Sequence, residues 1–303
     1  MDFRPTDDQR ALRAGARELL DRRFDREALR AAAGRGGRLD RSLWRALGAA
    51  GFFALRLPEA EGGAGLGLAE AVLLFEEAGR ALLPGPLVDT HLAAGEVKGA
   101  AEGEAVVTAP YGPLVAHLAD ADVVRGVDPP GRADARPIRS VDPLTPLHRL
   151  PPDVRSPAPP EPEAVLLTAA EQCGSAGRTV DLAVQHARTR TQFGQPVGAF
   201  QAVQHLCAGM LVRAELARTA VYAAAVTGAH AEITAAKLLA DEAAQDNARD
   251  CLQVCGGTGF TWESDVHLHL KRAWVRAGRG PTRARAEEEL AADLLAGADR
   301  WDG

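Results

Sequence analysis

The sequence predicts a mostly α protein in which two helical blocks flank a reduced β-region, and three observations predict it. Apolar residues recur at spacings of three and four through both ends of the chain, the signature of amphipathic helices. Of 19 prolines, 13 fall between Pro110 and Pro162, where they exclude helix interiors and leave room only for short strands. The long helical tracts of the C-terminal block end at glycines, which supply helix-terminating backbone.

In chain order, Thr6 and Gln9 make a capping-box pattern opening a helix expected to run toward Gly34, and Asp40 is placed to cap a second that ends at Gly51. The loop Glu61-Gly62-Gly63-Ala64-Gly65-Leu66-Gly67 leads into an apolar third helix, Ala69 to Leu83, closed by Pro84 and Pro86. Residues 1–104 are thus expected to be an N-terminal helical domain. In 105–160 the apolar patches Val106-Val107, Val123-Val124, Ile138 and Leu147 to Leu150 are of strand length only, a shortened middle β-domain. Residues 161–303 read as a C-terminal helical bundle. Its first helix carries Leu166, Ala169, Cys173, Ala176, Val180 and Val184 on one face and breaks at Gly194-Gln195-Pro196. The second runs from Phe200 to Thr227, and the third from Glu232 to Val254, stopping at Cys255-Gly256-Gly257. Shorter helices are expected around Asp265 to Val275 and from Pro281 to Leu295. Long helices on short loops pack as an antiparallel bundle.

Composition narrows the function classes. The 303 residues, 46% hydrophobic and 25% charged, suit a globular core and exclude disorder or fibre. A net charge of -6 gives no basic footprint for a phosphate backbone, so nucleic acid is not an expected partner. The start, MDFRPTDDQR, lacks the basic and apolar segments of a secretory signal, and no apolar run approaches a membrane span. No membrane association and a cytoplasmic location are expected. Cys173, Cys207, Cys251 and Cys255 lack CxxC spacing and read as buried free thiols; the scattered histidines imply no metal site. The acidic run Glu287-Glu288-Glu289 reads as a solvated helix face beside Arg283 and Arg285.

Two segments are more specific than periodicity. Arg188-Thr189-Arg190-Thr191-Gln192-Phe193-Gly194-Gln195-Pro196-Val197, followed by Phe200-Gln201-Ala202-Val203-Gln204-His205, joins one long helix to the next. Cys251-Leu252-Gln253-Val254-Cys255-Gly256-Gly257-Thr258-Gly259-Phe260-Thr261-Trp262-Glu263 closes a third. Each sets a cation or amide beside a tight turn, where glycines let phosphates approach backbone N–H groups. Either alone is equally compatible with a helix-breaking loop; their joint occurrence argues for a site.

Together these segments resemble the acyl-CoA dehydrogenase family, whose flavoenzymes have an N-terminal helical domain, a middle β-domain and a C-terminal four-helix bundle. The similarity extends over most of the chain. Leu57-Pro58-Glu59 with Gly62-Gly63 resembles the family's passage into its third helix, and Arg139-Ser140-Val141-Asp142-Pro143 its late middle-domain strand. The resemblance implies FAD as cofactor, with its pyrophosphate and adenosine half held across a subunit interface by Arg190, Gln192, Phe193, Gln253, Gly256 and Gly257. A guanidinium can clamp a pyrophosphate bidentately, and glycine-exposed amides add neutral donors. The implied reaction is α,β-desaturation of an acyl-CoA or other acyl thioester, in which a desolvated carboxylate of raised pKa takes the α-proton.

The chain departs from the family where that chemistry would occur. The position of the usual glutamate falls near Gly280, within Ala277-Gly278-Arg279-Gly280-Pro281, and no carboxylate stands there. The family's alternative position falls at Ala164. Glu163 is adjacent, but one helical residue rotates a side chain by about 100°, so it is expected to face elsewhere. The family's flavin-contacting Thr-Glu-Pro stretch is absent, with Thr108-Ala109-Pro110 as its remnant. The resemblance therefore implies one subunit of a heteromeric acyl-CoA dehydrogenase, an oligomer in which a homologous subunit supplies the base and much of the flavin-ring pocket. Two alternatives stand beside it: a noncatalytic helical scaffold, and a self-sufficient flavoenzyme using Glu163 or another group as base.

Overall fold

The computed structural model describes residues 5–127, 129–152, 154 and 161–298. α1 (Asp7–Arg23) opens with the expected capping box: Thr6 Oγ1 accepts from the Gln9 N–H at 3.2 Å, and Gln9 Oε1 from the Thr6 N–H at 2.9 Å. The helix does not run on to Gly34. Phe24 leaves helical geometry with its side chain buried, and the Asp25 carboxylate accepts from the Ala28 N–H at 2.9 Å to start α2 (Arg26–Gly34). An aspartate that can cap offers the backbone an exit from a helix, so one expected helix becomes two. Asp40 caps α3 (Arg41–Ala49) as expected. The glycine-rich loop follows, and α4 (Leu68–Arg80) starts where Glu70 reaches back to the Gly67 N–H at 2.9 Å. α5 (Leu87–Leu92) completes the first block.

Among its described residues the middle region holds six strands of two or three residues each, β1 (Val107–Thr108), β2 (Pro110–Tyr111), β3 (Leu114–Ala116), β4 (Val123–Val124), β5 (Arg136–Ile138) and β6 (Leu147–Arg149), with a helical turn, α6 (Pro129–Ala133), before β5. β1 pairs in parallel with β4, and the others form an antiparallel sheet in the order β2-β3-β6-β5. The segment Arg139–Pro143 is not a strand, contrary to its expected role. β5 ends at Ile138, and Asp142 turns inward to accept from the Leu144 N–H at 3.0 Å and the Thr145 hydroxyl at 2.6 Å while pairing with Arg272. Those side-chain bonds compete with a ladder and win.

The last block is α7 (Pro162–Thr189), a small hairpin of β7 (Thr191–Gln192) and β8 (Gln195–Pro196), α8 (Gln201–Thr227), α9 (His230–Cys255), α10 (Val266–Ala277) and α11 (Arg283–Ala298). The boundary expected at 160 lies outside the described residues. α9 packs against α7, α8, α10 and α11; Ala236, Ala240, Ala244 and Ala248 are fully buried along it and let the helices approach closely. Cys173 and Cys251 are buried, as expected, but Cys207 and Cys255 are only half-buried.

α4 crosses α7 with the two backbones in contact. A Cβ added at Gly79 would lie 1.9 Å from the Glu171 carbonyl oxygen, and one at Gly174 would lie 1.8 Å from that of Glu76. The buried Glu76 carboxylate accepts from Arg13 and Arg218 at 2.9 Å and from the Tyr222 hydroxyl at 2.6 Å, tying α1, α4 and α8 together. The N-terminal helices are therefore fixed on the bundle. No helix among the described residues is long and apolar enough to cross a membrane.

Candidate functional site

α8 runs away from the hairpin and α9 returns. Asn247 near the end of α9 donates to the Met210 carbonyl at 2.9 Å and accepts from Arg213 at 2.9 Å, and Arg213 also pairs with Asp250. These bonds set the end of α9 beside the first half of α8. The antiparallel course brings the Arg190 hairpin and the Gly256 turn to the same end of the bundle.

The hairpin is built tightly. Arg190 ends α7, its N–H donating to the His186 carbonyl and its carbonyl accepting from Val197, both at 2.8 Å. Phe193 and Gly194 form the two-residue loop at φ 52° and 80°, the left-handed geometry that a two-residue hairpin favours and that asparagine or glycine usually supplies. Phenylalanine there is strained, and its ring is 91% exposed. Packing does not hold it: its one ring contact is with Phe200 at 6.2 Å. The Arg190 guanidinium is exposed and has no ion pair or hydrogen bond among the described residues. Gln192 is exposed and its amide bonds only the Thr191 carbonyl, at 3.0 Å.

The second turn is rigid and open. Gly256 takes φ 59° and ψ -142°, a conformation essentially reserved for glycine, and a Cβ added at Gly256 or Gly257 would meet nothing within 4 Å. The Thr258 hydroxyl donates to the Cys255 carbonyl at 2.8 Å and that of Thr261 to the Thr258 carbonyl at 2.9 Å, fixing the loop from within. Gln253, Gly256 and Gly257 are exposed, with Phe260 and Trp262 beside them. From the other side Arg26 donates to the Glu263 carbonyl at 2.6 Å, and both Arg26 and Arg30 pair with Asp265. One end of the bundle thus offers a free guanidinium, two primary amides, open backbone and an exposed aromatic ring, a donor set suited to an anionic, planar ligand.

The region that would hold a base is the opposite in character. Glu163 lies in the first turn of α7 and is held by Arg56 through two bonds of 2.6 and 2.9 Å. The Arg56 hydrogen bonds keep its carboxyl below the usual range despite partial burial, the wrong direction for a proton acceptor at neutral pH. Beside Gly280, Arg279 points inward and donates to both oxygens of Asp89 at 2.7 and 2.8 Å, its guanidinium 5.4 Å above the Tyr111 ring. Burial pushes the Tyr111 phenol up to about 12. One and two turns earlier, Arg276 pairs with Glu171 at 2.7 Å, and Arg272 with Asp142 while donating to the Leu83 carbonyl at 3.1 Å. Thr108 and Ala109, the expected remnant of a flavin-contacting stretch, are committed internally, to the Ala116 carbonyl at 2.8 Å and to Asp89 at 3.2 Å.

Comparison with known proteins gives this geometry a family. The family models described as acyl-CoA dehydrogenase N-terminal domain and C-terminal domain match residues 6–100 and 164–282. The acyl-CoA dehydrogenase IpdE2 of Mycobacterium tuberculosis is 35% identical over 89% of this chain and 92% of its own length. The chain belongs to the acyl-CoA dehydrogenase family. Among solved acyl-CoA dehydrogenase structures, the Tcur3481-Tcur3483 steroid enzyme, a G363A variant, superposes with a TM-score of 0.79 at 25% identity, covering 97% of this chain and 99% of the other. The ChsE4-ChsE5 complex of Mycobacterium tuberculosis has the same fold, with a TM-score of 0.81 at 21% identity over 97% and 99%.

Against that family background, sequence reasoning missed the arginine ladder of Arg272, Arg276 and Arg279. Its signal was present: two arginines four apart on a helix with an apolar, buried face, and a third three residues on, just past the helix end. The carboxylates that answer them, Asp142, Glu171 and Asp89, come from three distant segments and become neighbours only on folding.

Proposed function

We propose that this chain is one subunit of a heteromeric, FAD-dependent acyl-CoA dehydrogenase and supplies the pyrophosphate- and adenosine-binding half of a flavin site that a homologous subunit completes. The observation that carries the reading is the pairing, at one end of the bundle, of the unpartnered Arg190 guanidinium with the open Gly256-Gly257 turn. Arg190 would clamp the pyrophosphate, the Gly256 and Gly257 N–H groups and the Gln192 and Gln253 amides would add neutral donors, and Phe193 would cover the ligand from the hairpin tip. FAD, when bound, accepts the β-hydrogen of an acyl thioester as hydride. This chain's residues fit the dinucleotide half but not the ring half, since Thr108 and Ala109 are spent within the fold, no carboxylate stands at Gly280, and the neighbouring Arg279 is locked to Asp89. The α-proton therefore goes to a base on the partner. The IpdE2 relative and the steroid-enzyme neighbour favour a bulky CoA ester as substrate.

The test is co-expression with a homologous chain that carries the family glutamate. The complex is expected to be yellow and active, this chain alone colourless and inactive, and Arg190→Ala to cut bound flavin in the complex at least about tenfold, the loss of a charge-assisted contact. A yellow, active homomer refutes the division of labour. Flavin content unchanged by Arg190→Ala instead makes the chain a scaffold.

A further inference from the structure

A cleft of about 330 Å³ opens between α1, α2 and α4 on one side and α7 and α10 on the other. Its walls alternate charge and hydrocarbon, and almost every charge is answered within the protein. Arg17 pairs with Glu77 at 2.7 Å, Arg80 with Asp181 at 2.6 Å, and Arg26 with Asp265; Asp25 caps α2, and Asp21 stands exposed at the rim. Arg178 is the exception. It lines the cleft from α7, partly buried, and has no ion pair or hydrogen bond among the described residues. Burial, with Arg80 adding to it, pushes its guanidinium below the usual range, and Asp181, Asp21 and Asp265 do not offset that push. Beside it His269, also in the cleft wall and 2% exposed, uses Nδ1 on the Ser175 hydroxyl at 2.7 Å, which leaves Nε2 for whatever enters. A partly buried cation that nearby carboxylates only partly offset is an arrangement that an anion in contact would relieve.

We propose that this cleft binds a small amphipathic carboxylate, its oxygens held by the Arg178 guanidinium and the His269 Nε2–H and its apolar body lying along Leu20, Leu29 and Leu182. The carboxylate selects the tautomer in which Ser175 donates to Nδ1 and Nε2 carries the proton. The cleft's modest volume and its mixed lining suit a short-chain acid and exclude a dinucleotide. The assignment is independent of the flavin reading, because none of these residues belongs to the two turns.

The test is thermal unfolding of the full chain with sodium hexanoate, at ionic strength fixed by sodium chloride. Hexanoate is expected to raise the midpoint saturably, and Arg178→Met to remove that shift while itself melting higher than wild type without ligand, since it deletes a partly buried charge that has no ion pair among the described residues. Arg178→Lys keeps the charge without the planar fork and is expected to weaken half-saturation at least about tenfold. An undiminished hexanoate response in both variants overturns the site. A lower ligand-free midpoint for Arg178→Met overturns it too, since that assigns Arg178 to structure. Sulfate giving an equal shift at equal ionic strength overturns the carboxylate assignment.

Discussion

Arginine plays opposite parts at two places in this molecule. At the hairpin end of the bundle Arg190 is exposed and unpaired among the described residues, at the same end as the open Gly256-Gly257 turn, whereas along α10 and the loop after it Arg272, Arg276 and Arg279 are turned inward, each locked to a carboxylate from a distant segment. Held by the protein, a guanidinium is spent on the fold; left free on a rigid turn, it is available to a ligand. The difference underlies the proposed function: the end that keeps its donors free is the one proposed to share a site, and the arginines along α10 are spent on the fold.

Breaking the buried side gives the largest expected effect. Asp142→Ala leaves Arg272 charged and unpaired in the core and is expected to cost about 3–5 kcal/mol in denaturant unfolding, while Arg190→Ala should change stability by less than about 0.5 kcal/mol. Comparable losses would erase the contrast.

The same region should show in acid. Burial, with Arg272 adding to it, holds His117 down at about 3, and its Nε2 accepts from the Gly85 N–H at 3.3 Å. Burial with Arg56 holds His91 down at about 4. The unfolded chain takes up protons through about pH 6.5 and these two rings do not, so stability is expected to fall as pH drops below that, at roughly 1.4 kcal/mol per pH unit for each ring. Although burial opposes it, Arg272 with the Thr145 hydroxyl and Leu144 N–H holds the Asp142 carboxyl below the usual range. Its contribution is complete above about pH 4 and lost only below. Unfolding measured from pH 7 to 5 should therefore slope mainly for the buried histidines, among them His269, whose ring is held well below the usual range by burial and the nearby Arg178, and His117→Gln should remove about a third of the slope.

The open side is sharpened by binding. In the proposed heteromer, Arg190→Ala is expected to raise the flavin dissociation constant by about ten- to a hundredfold, with added salt weakening the wild type more than the variant. The smallest effect belongs to Glu163→Gln. An ion pair this exposed contributes about 1 kcal/mol or less, and no change in turnover by the heteromer is expected; a collapse of turnover would return Glu163 to the chemistry.

Much of this was legible in the sequence because it is encoded locally. Capping at Thr6 and Asp40, the glycines that end α8 and α9, the proline-limited strands and the periodicity of α7 to α9 each depend on residues a few positions apart. The two turns could be read for the same reason: each is a contiguous motif whose backbone demands show in its glycines. The sequence misled in two ways: an alternative local cap at Asp25, beside the buried Phe24, split the first helix, and Asp142 pulled its segment out of the sheet toward Arg272.

The sequence by itself determined the elements, their order and the residues of the two turns, since propensity, caps and glycine conformations act over one or two turns of chain. Only the tertiary structure decided which charges were spent. Asp89, Asp142 and Glu171 meet Arg279, Arg272 and Arg276 across more than a hundred residues, and a Coulomb contact depends on separation in space, which no spacing along the chain records.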